Sequence, residues 1–207
     1  MKRRSSSGSR FLWWLLWFSL ALLQVWNHYR DKPPSLPPPK ETRFVKLTDV
    51  RLVEDASNDG DSFKIEHGGS AHVLRLYFVD CPEKRQYALV KNRLKDQAAY
   101  FGGLSIEQTL ALGHEAKVFT ERLLNEQPFT IQTRWERVFD SARSYALVFF
   151  PDGEELSEKL VRAGLCRIHT KGTWMPDGRR EYDFEDHLRL LEREAKAAHR
   201  GAWGIPK

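Results

Sequence analysis

The chain has 207 residues, 41% of them hydrophobic, which is room for one domain with a packed core and a remainder of tail. Its formal charge of +5 comes from one end. Residues 1–40 carry seven Lys/Arg (Lys2, Arg3, Arg4, Arg10, Arg30, Lys32, Lys40) against Asp31, leaving 26 basic and 27 acidic side chains, a net charge of −1, for residues 41–207. Bulk charge is thereby excluded as an argument for a nucleic-acid partner, and any such site must be a local patch.

The only two cysteines, Cys81 and Cys166, have no CxxC or Cys/His spacing, which argues against a structural zinc site. A single disulfide in an exported domain and a pair of free thiols both remain open, and free thiols are the reading taken.

Residues 1–10 are basic and serine-rich, and residues 11–26 are apolar apart from Ser19 and Gln24, with four Trp among the sixteen. This is the form of an export signal or a membrane anchor. A spanning helix wants about 20 apolar residues, so the run is short, but flanking Trp and Arg can snorkel to cover the mismatch. Ser19-Leu20-Ala21 has the small-x-small form of a cleavage site, whereas the Trp-rich core without a helix breaker favours an uncleaved anchor, which is the reading taken. The basic flank holds residues 1–10 in the cytoplasm and puts the rest outside it, membrane-anchored or, if cleaved, secreted. Residues 27–43 form a linker. Its prolines at 33, 34, 37, 38 and 39 make a stiff spacer of about 30 Å, at roughly 3 Å per residue. A polyproline ligand for a partner domain is the sharper alternative, and no protein partner is implied.

Phe44 to Ala56 alternates as a strand with a slip at Thr48-Asp49 that reads as a bulge. Asn58-Asp59-Gly60 turns the chain into a strand at Ser62 to Glu66, and Gly68-Gly69 turns it again into Ala71 to Val79. Arg75 lies in the middle of that apolar strand, so it is half of an ion pair or grips a ligand. Strict alternation would put Arg75 and Asp80 on opposite faces, so the strand ends or bends before Asp80, and Pro82 agrees. Tyr87 to Tyr100 predicts a helix broken at Gly102-Gly103, and Ser105 with Gln108 has the form of a capping box opening a helix to about Asn125. That helix offers Leu110, Leu112, Val118, Phe119, Leu123 and Leu124 to a core, and its Gly113, about 1 kcal/mol worse than alanine, marks a kink or break. Phe129 to Trp135 and Arg143 to Phe150 read as paired strands, Leu156 to Ala163 as a helix stopped by Gly164, Leu165 to His169 as a strand and Tyr182 to Arg200 as a helix. The histidines at 67, 72, 114, 169, 187 and 199 share no ligand spacing, and none is a catalytic candidate.

Two blocks, Asp59-Gly60-Asp61-Ser62 and Arg75-Leu-Tyr-Phe-Val-Asp80-Cys-Pro82-Glu83, resemble the signature of the staphylococcal nuclease family, Asp-Gly-Asp-Thr followed by Arg-Leu-x-x-Val/Ile-Asp-x-Pro-Glu. A third, Asp140-Ser-Ala-Arg143, is similar to the family's Asp-x-Tyr/Phe-Gly-Arg. Here Ser141 and Ala142 replace an aromatic and a glycine, with Phe139 nearby. Residues 84–113 are longer than the corresponding connection in compact members.

The resemblance implies an α+β domain over residues 44–204, a five-stranded Greek-key barrel of the OB fold with about three helices. It implies a Ca²⁺-dependent endonuclease acting on DNA and/or RNA as a monomer. Asp61, Asp80 and the backbone carbonyl of Cys81 would bind Ca²⁺, Asp59 would stand in the outer shell, and Glu83 would orient or deprotonate the attacking water. Arg75 and Arg143 would hold the phosphate, and Trp174 would stack on a base. On this reading Asp61→Ala and Arg75→Ala each leave a folded protein with little hydrolysis. The alternative is a membrane-tethered OB module that binds nucleic acid or protein without catalysis.

Overall fold

In the computed structural model, which describes residues 43–206, the glycine pair does what its position predicts. Gly68 (φ 58°) and Gly69 (φ 75°) adopt the left-handed backbone that a tight hairpin demands, and join β3 (Ser62–His67) to β4 (Ser70–Leu76). The register pairs Ser62 with Arg75 and His67 with Ser70. Phe63, Ile65, Leu74 and Leu76 are buried, as alternation on a half-covered hairpin requires.

The predicted first strand is two. β1 (Val45–Leu47) pairs with β6 (Thr130–Arg137), β2 (Arg51–Leu52) pairs with β3, and the slip between them is Asp49 at φ 55°. β6 turns back into β7 (Arg143–Phe149), which lies parallel to β4, and the sheet order is β1-β6-β7-β4-β3-β2. The chain bends at Phe78 (φ 67°) before β5 (Val79–Asp80), which leaves the large sheet to pair with β8 (Arg167–Ile168). The described residues thus hold eight short strands, where the sequence predicted six and the resemblance implied five, in a six-stranded and a two-stranded sheet consistent with an OB-like fold. The two beyond the six arise where the predicted strands Phe44 to Ala56 and Ala71 to Val79 each break and change partner.

Among the described residues four α-helices complete the α+β fold, one for each helix predicted from the sequence and one more than the resemblance implied: α1 (Lys91–Tyr100), α2 (Ile106–Glu126), α3 (Leu156–Arg162) and α4 (Glu181–Ala197). The Ser105 hydroxyl accepts from the Gln108 N–H at 3.1 Å while Gln108 Oε1 accepts from the Ser105 N–H at 2.8 Å, so the capping box at the start of α2 is complete. Gly113 does not break α2. A Cβ there would stand 2.5 Å from the Pro82 carbonyl oxygen and 2.6 Å from that of Glu83, so glycine lets the helix lie against the backbone after β5. Val118, expected in the core, is 63% exposed, and Thr109, Ala116 and Thr120 are buried in its stead.

The two cysteines are not free thiols. Cys81 and Cys166 form a disulfide with their Cα atoms 4.1 Å apart, a pairing created by the β5–β8 ladder that sets Asp80 opposite Arg167. The expected membrane segment at 11–26 and the proline linker up to residue 42 lie outside the described residues. Among the described residues no helix is long and apolar enough to cross a membrane.

Candidate active site

Parallel pairing of β4 with β7 brings the second and third sequence blocks together. Val73 is opposite Arg143 and Arg75 opposite Tyr145, so the two arginines lie on neighbouring strands two register positions apart. The hairpin register places Ser62 beside Arg75, and Arg143 Nη1 donates to the Ser62 hydroxyl at 3.3 Å. Asp61 precedes β3, where its carbonyl accepts from the Leu76 N–H at 2.8 Å and its carboxylate from the Cys81 N–H at 2.6 Å.

Asp80 is the hub. Its Oδ1 accepts from Arg75 Nη2 at 2.6 Å and from Arg93 Nη2, and its Oδ2 from Arg167 Nε at 2.8 Å and Gln97 Nε2 at 2.9 Å. Arg75 also reaches Asp61 Oδ1, at 3.1 Å through Nη1, so one guanidinium spans two buried carboxylates. Arg93 spans two as well, its Nη1 lying 2.9 Å from Glu83 Oε1. Asp59 pairs with Lys84, whose Nζ stands 2.5 Å from Asp59 Oδ1 and also donates to the Asn58 carbonyl. Arg93, Gln97, Arg167 and Lys84 have no counterpart in the motif. Arg93 and Gln97 did carry a signal, a basic and an amide side chain four residues apart on one helix face.

These environments push the carboxylates in different directions. Burial raises the Asp61 pKa, and the attraction of Arg75 offsets only part of that. Burial would raise Asp80 too, but Arg75, Arg93 and the Gln97 amide outweigh it and hold the carboxyl well below its usual range. Glu83 is raised by burial, with Arg93 opposing and the charges of Asp59, Asp61 and Asp80 adding to the rise.

Arg75, Asp80, Arg93, Arg143 and Arg167 open into one cleft of about 510 Å³. Six basic side chains line it (those four arginines, Arg137 and Lys171) against Asp80, Asp96 and Glu136, which is the local basic patch that a domain of net charge −1 requires. Phe139 stands at this cleft 87% exposed, with φ 49°. Asp61 and Glu83 lie behind the cleft, joined to it through Arg75 and Arg93. Trp174 is not among the lining residues, and its carbonyl accepts from Arg134 Nη2 at 3.2 Å.

A model of the family described as staphylococcal nuclease homologue matches residues 73–204, about two-thirds of the chain. The chain belongs to that family. The match takes in the Arg75 to Glu83 block and Arg143, and starts just after the Asp59 to Ser62 block, which the hairpin joins to it. No curated protein matches the chain. The family is one of nucleases acting on nucleic acid, and its members typically use Ca²⁺.

The oxygens for such an ion converge but are already faced by N–H groups. Gln97 Nε2 donates to Asp80 Oδ2 at 2.9 Å and to the Cys81 carbonyl at 3.0 Å, Arg75 spans Asp61 and Asp80, and Arg93 spans Asp80 and Glu83. Among the described residues no group of three or more His, Cys, Asp or Glu is arranged to hold a metal ion. A hard cation needs several open oxygens. In this arrangement the residues do not fit Ca²⁺, because guanidinium and amide groups already occupy the cationic positions.

Proposed function

We propose that the chain is a nuclease that hydrolyses phosphodiester bonds of DNA and/or RNA in this cleft, outside the cytoplasm and tethered through residues 11–26. The observation that carries the reading is the placement of Arg143 beside Arg75 at a cleft with twice as many basic as acidic side chains. Attack of a water oxygen on phosphorus, with departure of the ester oxygen, puts extra negative charge on the phosphoryl oxygens. The Arg143 side chain bonds only to the hydroxyls of Ser62 and Ser141 among the described residues and has no carboxylate partner there, so its remaining N–H donors are available to those oxygens. Arg75 lines the same cleft but spends two N–H groups on Asp61 and Asp80, so Arg143 does more of the gripping. Glu83 accepts the proton of the attacking water, and the departing oxygen takes one from solvent. Exposed Phe139, in place of Trp174, offers the face on which a base stacks.

The Ca²⁺ requirement enters this reading from the family alone, and no step here runs through the ion. One observation favours the second reading, a binding module without catalysis: Asp61 and Asp80 are buried and closed off by arginines. The test is incubation of the full chain with single-stranded DNA and RNA, first with Ca²⁺ and then with chelator. Endonucleolytic cleavage is the expected result, and the chelator arm decides whether the family's Ca²⁺ requirement extends to this site. Retention of the strand without cleavage would select the binding module, and neither binding nor cleavage would overturn both.

A further inference from the structure

The arginines of the cleft can grip a phosphate but cannot give up a proton, because a guanidinium stays charged to a pH above about 12. Among the residues lining the cleft, His169 alone has a side chain that ordinarily titrates near neutrality. Its sequence position gave no sign of this, since the histidines share no ligand spacing; the fold singles it out. β8 sets Arg167 opposite Asp80, and the pairing runs one step further, with the His169 N–H donating to the Phe78 carbonyl at 2.8 Å. Alternation along an extended chain puts Arg167 and His169, two positions apart, on one face, and both line the cleft. The His169 ring is exposed and makes no hydrogen bond or ion pair among the described residues, so both nitrogens are uncommitted. The charges around it are Arg167 on β8, Asp80 on β5, Arg93 on α1 and Arg75 on β4, while Lys171, two residues on, is paired with Glu136. Partial withdrawal from water lowers the His169 pKa below the ordinary 6.5, and the three arginines lower it further against the pull of Asp80. A proton on this ring is therefore readily given.

We propose that His169 is a further catalytic residue, whose imidazolium protonates the oxygen that leaves phosphorus. This rests on the nuclease reading, and it supplies from the protein the proton that the departing oxygen would otherwise draw from solvent. As the water oxygen bonds to phosphorus, the ester P–O bond breaks and its electron pair stays on the departing oxygen, which takes the proton from a ring nitrogen of His169. The proton of the attacking water goes to Glu83. One imidazolium is thereby spent and one carboxyl gained, and exchange with solvent restores both. A phosphate held by Arg143 in the same cleft adds negative charge near the ring, which favours the protonated imidazole in the complex.

The measurement is kcat/KM against pH for the full-length natural sequence, His169→Ala and His169→Asn, with thermal midpoints in parallel. The substrates are single-stranded DNA and the p-nitrophenyl esters of thymidine 3′- and 5′-phosphate. p-Nitrophenolate departs without a proton, so a proton donor matters for DNA and not for the esters. On DNA the natural sequence should lose activity as pH rises through a midpoint below 6.5, because only the protonated ring can donate. Both variants should lose that limb and about 100-fold or more of the activity at the optimum, while the esters are spared. An equal loss on DNA and esters would make His169 a binding or positioning residue, and an unchanged limb would assign it to another group; either overturns the proposal. Where neither ester is turned over, the limb on DNA decides alone. Cleavage of DNA by the natural sequence and the variants alike sinks only the role of His169, whereas no cleavage of any substrate by the natural sequence sinks the nuclease reading and this role with it.

Discussion

At the scale of single residues, the site is a balance of buried charges. Arg75 is 9% exposed at its side chain and neutralises Asp61 and Asp80 together. Removing one partner of a buried pair strands the other, which costs about 3–5 kcal/mol. Arg75→Ala should therefore lower the unfolding free energy by that amount in a urea titration, and its low hydrolysis would then not isolate a role in chemistry. A loss under about 1 kcal/mol would show that Asp61 and Asp80 find other partners. Glu83 makes the cleaner test. It accepts a proton only when ionised and burial raises its pKa, so kcat/KM should climb with pH through a midpoint above the ordinary 4.5. Glu83→Gln should abolish that limb along with most of the activity. An unchanged limb in the variant would assign it to another group. The stability signs are opposite for the two carboxylates. Asp80, held low, stabilises the fold above its ordinary 3.8 and loses that contribution as pH falls further, whereas Glu83, held high, favours the fold at low pH and less so as it ionises.

At the scale of elements, close approach and cross-linking decide how well the site is held. Gly113→Ala would drive a methyl into the carbonyls of Pro82 and Glu83, and should cost about 1–3 kcal/mol, read as a lower urea midpoint with an unchanged slope. Reduction of the Cys81–Cys166 bond opens a loop of 85 residues and should cost about 4.5 kcal/mol by chain entropy. Because the bond adjoins the Asp80–Arg167 pair, hydrogen exchange at β5 and β8 should quicken before it does in β3 and β4. The contrast with the sequence is instructive here. The hairpin, the capping box and the bend before Asp80 were legible because each depends on residues a few positions apart. Arg167 was not, and the helix-face spacing of Arg93 and Gln97 did not say what they meet, since what makes all three part of the site is their convergence on Asp80 across 13, 17 and 87 positions. The choice between a disulfide and free thiols went the wrong way for the same reason: only the β5–β8 ladder brings the sulfurs together.

At the scale of the whole molecule, net charge hides a field that the fold creates. A domain of charge −1 assembles six basic side chains at one cleft, with an exposed phenylalanine at its mouth. Phe139→Ala should raise KM for single-stranded substrate about 5-fold or more with little change in kcat, since stacking is worth about 1–3 kcal/mol per base. Arg143 is the residue that tests the proposed phosphate position without disturbing the buried ion pairs. The decisive measurement is kcat/KM of Arg143→Ala against the natural sequence on single-stranded DNA, with thermal midpoints determined in parallel. The account predicts a fall of about 100-fold or more, the scale of losing one donor to transition-state charge, with the midpoint preserved. Equal activity in the folded variant would contradict it.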